Sequence, residues 1–337
     1  MTDRILLAHG SGGKLTHQLI EEIFMKQFDN EMLKLQSDSA VLNINSKKLA
    51  FTTDSYVVTP IFFPGGNIGK LAVCGTINDL AVSGARPLYL SASFIIEEGF
   101  SVDDLKTIVL SMAEEAQKSG VRVVAGDTKV VEKGKCDQLF ITTTGVGELK
   151  QELSHISSGK NIQAGDKILI NGSVADHGIT ILSARENLQF EEDIQSDCAS
   201  LNGLIQKVLD AGINVKFMRD ATRGGVATVL AEIARMRKAG IEIKEEAIFI
   251  RESIRGLCEV LGYDPLYVAN EGKVIMIIDP KDEKKALEIM KQHSLGKESS
   301  VIGEICEDHN EFVVLNTCIG GRRILDLLTG EQLPRIC

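Results

Sequence analysis

The sequence predicts two α/β domains on three observations. Its 337 residues exceed the usual span of one hydrophobic core. Its 44% apolar and 25% charged residues are an ordinary globular composition with no low-complexity tract. Strand-like and helix-like stretches alternate along its whole length. After the glycines of "AHGSGGK", Leu15, Leu19, Ile23 and Phe24 keep helical spacing and predict a surface helix with one buried stripe. "AVLNI" and "LAFTTDSYVVT" read as strands, and "NIGKLAVCGTINDLAVSGA" as a helix closed by Gly84 and Pro87. "PLYLSASFIIE" reads as a buried strand. Ser101 with Asp104 forms a capping-box pattern opening a helix whose Leu105, Ile108, Val109 and Met112 share a face. "VRVVAGDTKVV" and "QLFITTTGVGEL" complete this half as strands.

The polar passage "KQELSHISSGKNIQAGD" predicts a boundary near residue 155, giving domains at 1–155 and 156–316. The second half opens on strand "KILIN". Helices follow around 176–186, 201–211 and 223–238, with strands "IEIKE", "KVIMIID", "VIGEI" and "FVVLN". Beyond Asn316, glycines, a proline and no sustained periodicity predict a mobile tail over 317–337.

A formal net charge of −10, with no cluster of Lys and Arg, argues against nucleic acid as a partner. The opening "MTDRILLAHGSGGK" has too short an apolar run for a secretory leader. No segment approaches the roughly 20 apolar residues of a membrane span, so a cytoplasmic protein is expected. Seven scattered cysteines without CxxC spacing predict small buried side chains rather than a zinc site, save for Cys337, the last residue of the sequence. A CaaX anchor needs its cysteine fourth from the end, three positions earlier.

Chemistry concentrates elsewhere. "AHGSGGK" fails as a P-loop because Ala8 replaces its first glycine and Leu15 follows Lys14; it remains a glycine segment with one cation ahead of a helix. Asp38, Asp54, Asp79, Asp127 and Asp220 lie at strand ends or in a helix among small or apolar neighbours. Any one of them reads as a cap or turn residue. Five would repel one another without a cation, and magnesium with nucleotide phosphates is the usual solution. Gly224 and Gly225 open an apolar helix whose free amides suit an anion, or else mark a close packing contact. Glu271 lies in a short polar break before a strand, where an exposed turn carboxylate competes with a functional one. Lys129 and His177 are candidates by residue type alone.

The ordered blocks "SDSAV", "TTDSYVVTP", "GGNIGKLAVCGTINDLAVSGARPLYLS", "AGDTKVV", "ADHG", "RDATRGGVATVLAEIA", "ANEG" and final "PRIC" resemble the HypE family of hydrogenase maturation proteins, within the PurM-like ATP-using superfamily. The aspartate blocks are shared more weakly with aminoimidazole ribonucleotide synthetase, selenophosphate synthetase and thiamine monophosphate kinase, whereas "PRIC" is particular to HypE. "HGSGGK" lacks the reactive Cys or Sec of selenophosphate synthetases. The resemblance implies an α/β PurM-like fold in which N-terminal strands of a homodimer pair into an intersubunit β-barrel, followed by a C-terminal α/β sandwich and a mobile tail. It implies ATP and Mg²⁺, with Lys14, Asp38, Asp54, Asn78, Asp79, Asp127 and Asp220 at the nucleotide and Asp38, Asp79, Asp127 and Asp220 at the metal.

The implied reaction is ATP-dependent dehydration of a carbamoyl group on the Cys337 thiol to a thiocyanate, the source of cyanide for the iron of [NiFe]-hydrogenase. Glu271 is the implied base, with Lys129 stabilising the oxyanion or transferring phosphate, or the two roles exchanged. The implied partners are the carbamoyltransferase HypF and the iron-carrying HypC–HypD complex. Two alternatives stand beside this: a small-molecule kinase or cyclo-ligase in which Cys337 is inert, and a non-catalytic, nucleotide-gated carrier.

Overall fold

The computed structural model of the chain describes residues 3–11, 13–34, 39–188, 194–328 and 336; Asp38 and Cys337 lie outside them. Helical structure runs from Lys14 to Phe28, passing through π turns over Ile20–Met25, and buries Leu19, Ile23 and Phe24. No strand forms over residues 40–44. Val41 is 85% exposed there, so β-branching without a neighbouring strand to pair with does not make sheet.

The first half is a four-stranded sheet of β1 (Lys48–Tyr56), β2 (Arg86–Glu97), β3 (Arg122–Val131) and β4 (Leu139–Leu149), in the order β1-β4-β2-β3. Helices α1 (Ile68–Val82) and α2 (Val102–Lys118) belong to the same half. Each helix starts on a side-chain cap: Asn67 accepts the Gly69 and Lys70 amides, and Ser101 accepts that of Asp104. Helix α2 is amphipathic and buries the expected Leu105, Ile108, Val109 and Met112. Helix α1 is apolar on every side, and only Lys70 and Asp79 reach partial exposure. Such a helix must be covered all round. It packs between β1 and β4 on one side and elements of the second half on the other.

The second half is a seven-stranded sheet of β5 (Lys167–Ile170), β6 (Val215–Asp220), β7 (Gly240–Lys244), β8 (Val274–Ile278), β9 (Ser300–Cys306), β10 (Val313–Asn316) and β11 (Arg322–Leu325), in the order β11-β10-β7-β9-β5-β8-β6. Helices α3 (Asp176–Arg185), α4 (Asn202–Asp210), α5 (Gly225–Arg237), α6 (Glu252–Leu261) and α7 (Glu283–Lys291) accompany it. The sequence pattern predicted neither β6, α6 nor α7.

The tail expectation needs correcting over its first part. β11 pairs antiparallel with β10 through the turn 317–321, where the Gly320 φ of +83° suits a residue without Cβ. Arg323 holds Asp264 at 2.6 Å and Arg235 pairs with Asp326, which fixes a segment whose own periodicity is too short to read.

Candidate functional site

A cleft of ≈ 900 Å³ opens where the two halves meet, lined by residues of β1, α1, β6 and α5 and by the 267–271 segment. Strand alternation turns Thr52, Asp54 and Tyr56 toward α1 and the cleft. Thr52 Oγ1 donates to Asp79 Oδ2 at 2.7 Å. Tyr56 is buried, its hydroxyl 3.4 Å from Asp54 Oδ2 and 3.3 Å from Thr76 Oγ1. Burial, and then Asp54, raise the Tyr56 hydroxyl well above its ordinary range, so it stays a neutral donor.

Asp220 ends β6 on the opposite wall. Burial, with Asp54 nearby, pushes its carboxyl up to about 6. Asp79 is pushed up to about 7 by burial, then by Asp220 and Asp54, against the Thr52 hydrogen bond. Glu271 is 3% exposed, so it is no exposed turn residue, and its Oε1 has no hydrogen-bond partner. Burial raises its carboxyl well above the ordinary range, with Asp220 and Asp197 adding to the effect. The carboxyl groups of Asp79, Asp220 and Glu271 thus hold protons at the expense of charge.

Cations stand against them. Arg219 and Arg223 line the same cleft, and Arg219 pairs with Glu232 at 2.7 Å. Gly224 and Gly225, at φ +73° and +61°, make the left-handed turn that starts α5. Thr228 of its first turn has a buried Oγ1 without a hydrogen-bond partner. A helix start beside two arginines suits phosphate, and facing aspartates suit the divalent cation that accompanies it.

The Glu271 backbone is clamped from behind. Asp197 accepts the Glu271 and Gly272 amides at 3.0 and 3.1 Å and Lys273 Nζ at 2.8 Å. Burial opposes ionisation of Asp197, yet Lys273, His177 and the Glu271 amide hold its carboxyl below the ordinary range. A Cβ on Gly272 would meet the Asp197 carbonyl at 2.0 Å, so only glycine allows this approach.

Asn78, expected at the nucleotide, is spent elsewhere. Its Nδ2 donates to the Ala199 carbonyl at 3.0 Å and lies 3.4 Å from that of Glu271, and its Oδ1 accepts the Leu201 amide at 2.7 Å. It joins α1 to the loop that carries the carboxylate. His177 is fully buried, with Nδ1 2.8 Å from Ser196 Oγ and Nε2 2.7 Å from the Ile336 carbonyl. Ile336 itself lines the cleft.

Three expected residues lie apart. Asp127 and Lys129 form an exposed pair at 3.5 Å on β3. β3 is the far edge of the sheet from β1, roughly 14 Å away at three strand spacings. Register places them beside Ser93 and Ile95 of β2, on the face turned away from α1. The 3₁₀ turn Leu7–Gly10 packs on the same strand and leads into the helix beginning at Lys14. The four aspartates expected to share one magnesium are therefore not gathered within one chain: Asp79 and Asp220 face each other, Asp127 does not, and Asp38 lies outside the described residues. Among the described residues no group of three or more His, Cys, Asp and Glu forms a ready metal site.

Sequence reasoning missed Tyr56, Arg219, Arg223 and Asp197. Tyr56 is two residues from Asp54 in a strand, and the arginines bracket Asp220 beside two glycines, so both were readable. Asp197 gives no local signal, since its three partners lie more than 70 residues away.

Comparison with known proteins matches the AIR synthase related protein N-terminal domain to residues 36–149 and its C-terminal domain to residues 163–316. The carbamoyl dehydratase HypE of Azotobacter vinelandii is 51% identical over 331 residues, 98% of this chain and 96% of that one. The crystal structure of the hydrogenase maturation protein HypE in complex with ATP superposes with a TM-score of 0.94 at 46% identity, covering 98% of this chain and 99% of that one. A HypE–HypF complex structure gives a TM-score of 0.79 at 51% identity, with 92% and 99% covered. With both halves matched and near-complete coverage at about half identity, this chain belongs to the HypE carbamoyl dehydratase family, with the two-domain PurM-like α/β fold of the AIR synthase related proteins.

Proposed function

We propose that the chain is an ATP-dependent carbamoyl dehydratase that converts a carbamoyl group on the Cys337 thiol to a thiocyanate, the cyanide source for [NiFe]-hydrogenase iron. The observation that carries this reading is the unpartnered, buried Glu271 carboxyl in a cleft that also holds Ile336, the residue before Cys337. The names of the relatives and the ATP bound by one of them support it.

The amide oxygen of a thiocarbamate is a poor leaving group. Transfer of the γ-phosphoryl group of ATP to that oxygen makes it a phosphate, and its departure with loss of both N–H protons leaves the nitrile. Arg219, Arg223 and the start of α5 are placed to hold the phosphates. Glu271 is the base; its raised proton affinity matches the weakly acidic N–H, and the Asp197 clamp fixes its direction. A magnesium ion held by Asp79 and Asp220, with Asp38 and Asp127, would screen the phosphates and offset the Asp220 repulsion that adds to burial in raising the Glu271 carboxyl.

In this reading two copies are needed. Among the described residues the edges of β1 and β3 are unpaired, and the open sheet face carries Phe51, 71% exposed, and Ile95, 40% exposed. Closing two such sheets into a barrel covers that face and brings Asp127, Lys129 and Lys14 of a second copy to the cleft, where Lys129 stabilises the developing oxyanion. Residues 1–155 then form the nucleotide domain, 156–316 the second domain, and 317–337 the arm that carries Cys337. HypF supplies the carbamoyl group, as the HypE–HypF complex of a relative supports, and a HypC–HypD complex accepts the cyanide. No helix among the described residues is long and apolar enough to cross a membrane.

The test is the intact mass after incubation with a carbamoyltransferase, carbamoyl donor and ATP. A gain of about 25 Da on Cys337, lost in Cys337→Ala, is expected. The same gain in Cys337→Ala would falsify the carrier role.

A further inference from the structure

His177 has no task in the chemistry above, yet it is fully buried and bonded on both sides. The Ile336 carbonyl can only accept, so the hydrogen in the 2.7 Å contact sits on His177 Nε2. Burial lowers the proton affinity of the ring, which leaves the imidazole neutral with one hydrogen. Nδ1 is then an acceptor, and the Ser196 hydroxyl 2.8 Å away must donate to it. Ser196 is free to do so because its oxygen accepts the Cys198 amide at 3.1 Å and its own amide is tied to the Pro64 carbonyl at 3.0 Å. The edge of the ring pair with Phe63, centroids 5.6 Å apart, fixes the ring plane. The imidazole is thus locked as an Nε2–H donor aimed at the backbone next to Cys337. The neighbouring Asp197 clamps Glu271, so residues 196 and 197 hold the arm and the base in one register.

We propose that His177, its tautomer set by Ser196, is a positioning residue that latches the Ile336 backbone at the wall of the Glu271 cleft and so restrains the reach of the arm whose next residue is Cys337. The inference rests on the dehydratase reading for its purpose but not for its test. A backbone latch reads no side chain on the arm, so it serves the free, carbamoylated and cyanated thiol alike.

The experiment compares alkylation by iodoacetamide at Cys337 and at the exposed Cys318, resolved by peptide mass spectrometry, in the full-length protein without ATP or carbamoyl donor. In His177→Leu the Cys337 rate relative to Cys318 is expected to rise about tenfold, the value of one buried hydrogen bond. His177→Gln, whose amide N–H has similar reach, should stay within about threefold of wild type. Ser196→Ala should move in the direction of His177→Leu by a smaller factor, and these last two variants carry the test if His177→Leu does not fold. An unchanged ratio in His177→Leu, or in Ser196→Ala where that variant fails to fold, overturns the latch. A glutamine variant that behaves like leucine overturns the donor role. In a second arm, single-turnover cyanation of the carbamoylated protein at saturating ATP should slow about tenfold in His177→Leu with nucleotide affinity unchanged. Equal losses in both would assign His177 to the fold alone. If wild type forms no cyano product, the dehydratase reading fails while the alkylation result still decides the latch.

Discussion

Asp79 and Asp127 belong to the same half of the molecule, yet they live in opposite surroundings. Asp79 sits on a helix buried on all sides, and burial with Asp220 and Asp54 pushes it up to about 7. Asp127 stands on an open sheet edge with Lys129 3.5 Å away, both well exposed. The cleft stores electrostatic repulsion among its carboxyl groups that a bound cation would relieve. The β3 edge is a solvated ion pair worth little by itself. The difference teaches that one chain gathers Asp79 and Asp220 in a cleft and leaves Asp127 and Lys129 on the far edge of the sheet, from which only the proposed dimer would bring them to a cleft.

Glu271→Gln should break the cleft side most severely. Thiocyanate formation is expected to fall by about a thousandfold, the scale of a general base, while nucleotide still binds, because the amide is nearly isosteric. Full yield by intact mass would remove Glu271 as the base. Asp79→Asn should cost roughly a hundredfold in ATP turnover through loss of a metal ligand, without loss of the fold. Its unliganded form should melt higher than wild type at pH 8, since one repelling charge is gone; a lower melting temperature would contradict the stored repulsion.

The edge side is sharpened by mixing subunits. Glu271→Gln and Lys129→Ala should each be inactive alone. Mixed and allowed to exchange, they should recover roughly a quarter of wild-type turnover, since half of the dimers are mixed and each contains one intact site. No recovery would place Lys129 and Glu271 in the same subunit's site, or Lys129 outside it.

The smallest effect is on stability against pH. The folded-state carboxyls of Asp79 and Asp220, at about 7 and about 6, lie above ordinary aspartate values, so folding favours their protonated forms. That contribution is complete below about pH 4 and is lost as pH rises through 6 to 7. The melting temperature of the unliganded protein should fall by several degrees between pH 5 and pH 8, and magnesium with a non-hydrolysable ATP analogue should reverse the fall at pH 8. A melting temperature that rises over this range would refute the assignment. Lys129→Gln should change the melting temperature little at any pH.

Patterning made much of the fold legible. The largely apolar run from Ile68 to Val82, the capped helix after Ser101 and the four long strands of the first half follow from periodicity and turn residues within ten or so neighbours. Helices α6 and α7 escaped although they match the predicted α3 and α4 in length; each buries only two side chains, Ile254 with Cys258 and Ala286 with Met290. β11 escaped because only Leu325 of its four residues is buried and the ion pairs that hold the segment, Arg323–Asp264 and Arg235–Asp326, join residues 59 and 91 positions apart.

The site divides along the same line. By itself the sequence determined which residue types were present and in what local setting: carboxylates at strand ends, a glycine pair before an apolar helix, and a block order with a final cysteine that marked the family. Only the tertiary structure decided which of them meet. It buried Glu271 without a partner, spent Asn78 on the backbone, aimed His177 at Ile336 and set Asp127 and Lys129 on the opposite edge of the sheet. The physical reason is range: helix and strand periodicity act over neighbouring residues, whereas burial, repulsion and hydrogen bonding depend on distances in space between residues that the sequence keeps far apart.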